Sequence, residues 1–180
     1  MISHRCIGSW KLVSFESKTP DGRRFIDFVT NPALKIALSA LGTIRPSAMP
    51  MNFQPNAPVF HPFGPRPVGH LIYTADGYYA LNMGSPGRRG FGSEDLATAS
   101  FLAQRNALMT YISSSGRFTV EDDQIIHHVE AHLYPDEVGR DHPFTLEFEE
   151  RGRMIALKPT APSALFGGRS VLTYATWERG

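Results

Sequence analysis

Residues Arg117–Pro135 read RFTVEDDQIIHHVEAHLYP and hold two strands, an acidic turn and three histidines. Phe118 and Val120 before the turn, and Ile125, His127, Val129, Ala131 and Leu133 after it, alternate as strands with one buried face do. Glu121-Asp122-Asp123 reads as a hairpin connection. Parity puts His127 on the mostly apolar face of the second strand, with His128, Glu130 and His132 on the other. Whichever face lines a cavity, a histidine lines it too.

Outward from this hairpin, the 180-residue chain is 42% hydrophobic and 11% aromatic, enough for one domain with a real core. The expected organisation is a single domain over 1–180 with an insertion, or lid, over about 29–67. Eighteen basic against seventeen acidic side chains give no broad field for nucleic acid or an anionic membrane. MISHRCIGSWKLVSF lacks the basic start and long apolar run of a signal peptide, and no stretch has the length of a membrane span, so the expectation is a soluble, cytoplasmic protein. Cys6, the single cysteine, forms no internal disulfide and excludes zinc sites built on paired cysteines.

Gly8 to Glu16, GSWKLVSFE, alternates as a first strand, with Trp10, Leu12 and Ser14 on one side and Lys11, Val13 and Phe15 on the other. A turn at Thr19-Pro20-Asp21-Gly22 leads to a short returning strand over Arg23 to Phe28. Thr30 to Pro67 then carries most of the fourteen prolines, which rules out long regular structure apart from two helical turns over Ala33 to Leu41. A connection this long suits a binding loop or lid, and equally a surface insertion. Gly69 to Met83 is a hairpin around Asp76-Gly77, with Tyr73, Tyr79 and Leu81 on one face. SPGRRGFG, Ser85 to Gly92, lacks a Walker lysine and is a plain loop. Ser93 to Met109 reads as one helix, with Ser93 as N-cap and Leu96, Ala99, Leu102 and Ala103 on one stripe. Strands follow near Thr110–Ser113, Arg117–Val120, Ile125–Leu133, Phe144–Glu149, Met154–Lys158 and Val171–Trp177. So many short strands with one or two helices imply an all-β, antiparallel sheet that hides its edges by closing into a barrel around a central cavity.

The ordered pieces GSWKLVSFE, DG, PFGPRPVGHLIYTADGYYALNM, GRFTV, IIHHVEAHLYPDEVG and the terminal WER resemble the lipocalin-like domain proteins of bacteria and fungi. The most specific element is HHVE followed by a proline and a glycine in PDEVG. The resemblance implies a small antiparallel barrel whose Trp10 packs near an arginine of the last strand, here Arg179. Two segments depart from the family pattern: the long insertion before His61, and His142-Pro143-Phe144 where an arginine-containing strand start is usual. The resemblance also implies a small hydrophobic ligand. Some similar fungal barrels resemble cofactor-free cyclases or isomerases acting on polyketide or terpenoid intermediates.

The residues fit such chemistry. Histidine supplies an acid or base near neutral pH, and tyrosine donates to a developing oxyanion. The catalytic candidates are therefore His127 or His128, backed by Glu130, with Tyr73 or Tyr79. Trp10, Phe15, Tyr111 and Phe118, with Leu81, would wall a ligand. His61, His142 and Phe144 are binding candidates from the two unusual segments. No cofactor is called for. A metal on His128, Glu130 and His132 would need a bulge, because i to i+4 on a strand spans ~13 Å, so no metal is assigned. A serine nucleophile among Ser113 to Ser115 lacks the G-x-S-x-G elbow. Two readings stay open: a cofactor-independent cyclase or isomerase, with dehydrating and pericyclic variants included, and a non-catalytic carrier of a small hydrophobic ligand. Either would act as a monomer or homodimer, without nucleic acid or membrane as partner.

Overall fold

The alternation that marks the hairpins also sets the sheet. In the computed structural model, which describes residues 2–22, 59–93, 95–162 and 171–180, nine strands form one antiparallel sheet. These are β1 (Gly8–Lys18), β2 (Val59–Phe60), β3 (Val68–Tyr73), β4 (Tyr78–Gly84), β5 (Tyr111–Glu121), β6 (Gln124–His132), β7 (Asp141–Glu149), β8 (Met154–Pro159) and β9 (Leu172–Arg179). Seven of them, β3 to β9, run in chain order, and β1 closes the ring by pairing with both β3 and β9. The result is an eight-stranded barrel, with β2 as a short extra strand on β1. Closure removes the exposed edges of an open sheet. The expected strand over Arg23 to Phe28, the helix over Ala33 to Leu41 and most of the lid lie outside the described residues.

Two bulges decide which side chains enter the barrel. In β1 the register with β9 slips between Leu12 and Ser14, so Trp10 and Leu12 are buried, Val13 is 43% exposed, and Phe15 and Ser17 turn inward. Strict alternation had Phe15 opposite Trp10 and Ser14 beside it; the extra residue reverses that. In β6 the bulge falls at Glu130: Ser115 pairs with Ala131 while the next residue, Gly116, pairs with Val129. Gly116 is required there, because a Cβ would stand 2.0 Å from the His128 carbonyl oxygen. The two strands expected near Thr110–Ser113 and Arg117–Val120 are one bent strand, β5.

Trp10, Trp177, Tyr73, Leu71, Ile125 and Ile155 are the largest fully buried barrel-strand side chains, and they fill much of the core. Burying each contributes about 1.5–3 kcal/mol. One end is shut by the short helix α1 (Ile2–Cys6). Trp10 Nε1 donates to the Cys6 carbonyl at 2.7 Å, and the Arg179 guanidinium stacks 4.2 Å above the indole while donating to the Ile7 and Arg5 carbonyls. The Trp10–Arg179 pairing is thus as expected.

The helix expected over Ser93 to Met109 is broken. A 3-10 turn, Leu96–Thr98, is capped by Asp95, and α2 (Phe101–Met109) starts afresh with Ser100 as N-cap. Ser100 is extended, which stops propagation of the first turn. The anticipated apolar stripe is not a buried face either: Leu96 and Leu102 are exposed, and only Ala99 is buried. Among the described residues no helix is long and apolar enough to cross a membrane.

Candidate functional site

Polar side chains on inward-facing strand positions must find partners inside the barrel, and those on β3 to β6 find one another. Tyr73 and Tyr79 face each other across the β3–β4 hairpin, whose Asp76-Gly77 turn puts Gly77 at φ 89°. On β6, His127 lies between inward-facing Ile125 and Val129 and is 3% exposed. Its Nε2 is 2.7 Å from the Tyr73 hydroxyl. The Tyr79 ring stacks on the imidazole at 3.9 Å between centroids and 12° between planes. Phe144 approaches the same ring at 5.2 Å, and Phe118 meets Tyr73 edge-on at 4.8 Å. Tyr79 shares a 2.7 Å hydrogen bond with Ser114, another buried hydroxyl.

Burial governs the protonation of this cluster. Desolvation, with the nearby His142 and His128 imidazoles, lowers the His127 pKa to about 3, so the ring is neutral at ordinary pH. The Tyr73 phenol is pushed well above its usual value, chiefly by burial. Tyr79 is also raised by burial, opposed in part by its bond to Ser114. Either the phenol donates to a bare Nε2 or an Nε2–H donates to the phenol oxygen; both leave two neutral groups.

The adjacent histidines part company. His128 projects outward, its Nδ1 2.7 Å from Asp141 Oδ1 and its Nε2 3.0 Å from the Thr119 hydroxyl. Glu130 is the exposed bulge residue. Neither joins the interior cluster, and this corrects the expectation that Glu130 backs an inward-facing histidine. The bulge also moves His132 off the face of His128: His132 pairs with inward-facing Ser114, and its Nδ1 accepts from the Tyr134 backbone N–H at 2.9 Å. The bulge a metal would have needed is present but separates the two ligands. Among the described residues no group of three or more His, Cys, Asp or Glu could hold a metal ion.

The binding candidates are scattered. Phe118, Phe144 and half-buried Leu81 share the inner wall with the cluster. Phe15 stacks on Phe63 at 5.1 Å, and the Trp10 N–H is spent on the Cys6 carbonyl. Tyr111 is on the outer face beneath Arg88, 4.8 Å away, so it is no inner wall. The cause is parity, since its buried neighbour Ile112 takes the inward position. His61 is half-buried in the turn after β2. His142, register partner of His127, has Nε2 3.0 Å from Glu137 Oε2, an ion-pair distance without hydrogen-bond alignment. Of the serines, Ser114 is bonded to Tyr79 rather than to a histidine.

Sequence reasoning passed over Ser114 as a partner of Tyr79 and Trp177 as a buried donor. The inward alternation of β5 was the signal for the first. Two hollows of about 180 Å³ each lie on the outside of the barrel, one along β1, β8 and β9 and one beside Arg88 and Tyr111. Neither hollow is the expected central cavity, and the polar cluster is packed among aromatic rings.

A family model described as a lipocalin-like domain matches residues 48–180. The match omits β1, which the structure inserts between β3 and β9. Comparison with curated proteins returns no match.

Proposed function

The chain belongs to the lipocalin-like domain family, and from that premise we propose that it binds a small hydrophobic molecule inside the barrel, against the aromatic wall of β3 to β7. The observation that carries this reading is the Tyr73–His127 pair, a buried hydrogen-bonding group set among Tyr79, Phe118 and Phe144. Ligand sites are largely apolar, with a few placed polar groups that fix orientation. A neutral imidazole and a phenol together can donate to and accept from a ligand hydroxyl.

The same contact favours a second reading, a cofactor-independent cyclase or isomerase acting on a polyketide or terpenoid intermediate. There Tyr73 and His127 would move a proton while the wall holds the substrate folded. The pKa directions favour binding over this: His127 accepts a proton only near pH 3, and Tyr73 gives one up only well above its ordinary value. Groups suited to proton transfer lie near the working pH.

Titration of the fluorescent probe N-phenyl-1-naphthylamine, then displacement by limonene and by carvone, tests the binding reading. Saturable uptake and displacement support it; no saturable signal overturns it. Deuterium incorporation beside the carbonyl of bound carvone, lost in His127→Gln, would instead favour the catalytic reading.

A further inference from the structure

The inward alternation of β9 puts Trp177 in the core, between Leu12 of β1 and Ile155 of β8 in register. Its side chain is completely buried, yet its Nε1–H has no acceptor among the described residues. The other tryptophan shows the ordinary outcome, since Trp10 spends its N–H on the Cys6 carbonyl. A core position that needs only bulk is served by phenylalanine or leucine, which carry no polar atom, whereas a buried donor left unmet costs the fold free energy. Its register neighbours are a leucine and an isoleucine, which have no side-chain acceptor.

On the closed ring β1–β3–β4–β5–β6–β7–β8–β9, β9 stands four steps from β5 in either direction. Trp177 therefore projects from the wall opposite Ser114 and Phe118. We infer that the Trp177 indole N–H is a second polar anchor inside the barrel, donating to the oxygen of a carbonyl-bearing apolar ligand such as a ketone, aldehyde or ester. The inference rests on the binding reading above and names its ligand class. An indole only donates, so it selects an acceptor oxygen, whereas Tyr73 and His127 can both donate and accept. Anchors on opposite walls fix a ligand's direction as well as its place.

Carvone and limonene share a carbon skeleton and differ by the carbonyl oxygen, which makes them the probes. In nitrogen-15 spectra the two tryptophans give two indole signals, and that of Trp10, already bonded to Cys6, is the internal control. Carvone should move the Trp177 indole proton downfield in a saturable way, and limonene should not. Trp177→Phe should weaken carvone roughly fivefold, the worth of one hydrogen bond, and change limonene by less than about twofold. Binding of both compounds with the Trp177 signal unable to tell them apart overturns the inference and leaves the binding reading standing. Binding of neither overturns the inference, and the binding reading falls with it where N-phenyl-1-naphthylamine shows no saturable uptake either. The spectra of the unaltered protein decide the matter even where the variant fails to fold.

Discussion

Replacing His127 by glutamine isolates the electrostatic consequence of burying an imidazole. In the unfolded chain the group titrates near its ordinary 6.5, and in the fold at about 3. Between those values the unfolded state binds the extra proton, so stability is fully present above 6.5 and drains away as pH falls toward 3. Each unit of separation is worth about 1.36 kcal/mol, so a descent to about pH 4 traverses ~2.5 units and removes about 3 kcal/mol. Because His127 is 3% exposed, solvent screens little of this. Against a total of roughly 5–15 kcal/mol for a domain, the loss is large. Glutamine keeps hydrogen-bonding capacity toward Tyr73 but does not titrate. Urea unfolding followed by tryptophan fluorescence, at about pH 7 and about pH 4, gives the stability of both proteins. Carboxylates and the surface histidines contribute alike to each and cancel in the difference. The unaltered protein should lose about 3 kcal/mol more than the variant over this interval. Equal losses would refute the reasoning, because they would mean His127 is charged or hydrated in the fold.

Three further outcomes test the frame around the site. Gly116→Ala should destabilise by about 3 kcal/mol in urea unfolding, since the new Cβ meets the His128 carbonyl, while Gly90→Ala, which meets nothing within 4 Å, should change stability by less than about 1 kcal/mol. Arg179→Ala should cost about 2 kcal/mol by losing its stack on Trp10 and its bonds to the Ile7 and Arg5 carbonyls, and Arg179→Lys should recover less than half, because an ammonium lacks the planar fork. Cys6 is buried and its thiol pKa is raised, chiefly by desolvation, so a thiol reagent should label it at the rate of local opening, becoming fast in denaturant; immediate labelling of the native protein would contradict the sealed end.

The period-two runs, the Asp76-Gly77 and Asp122-Asp123 turns and the scarcity of helix made an antiparallel barrel legible from the amino acids alone, because those signals act between neighbours in the chain. The same alternation put His127 and His128 on opposite faces but did not say which of them points inward; the fold turns His127 in and His128 out. Pairing across strands escaped local reading. A bulge costs one residue of register and exists only where a partner strand demands it, so the slips at Val13 and Glu130 left no local mark, yet they put Phe15 inside and carried His132 off the face of His128. Ser100 looked like any helical serine until its extended backbone started a second helix. Composition and turn chemistry therefore determined the architecture of this protein. Closure of the ring decided its interior, because only the three-dimensional neighbours of Tyr73, His127 and Trp177 settle which polar atoms are paired, which are neutral and which still have a hydrogen bond to give.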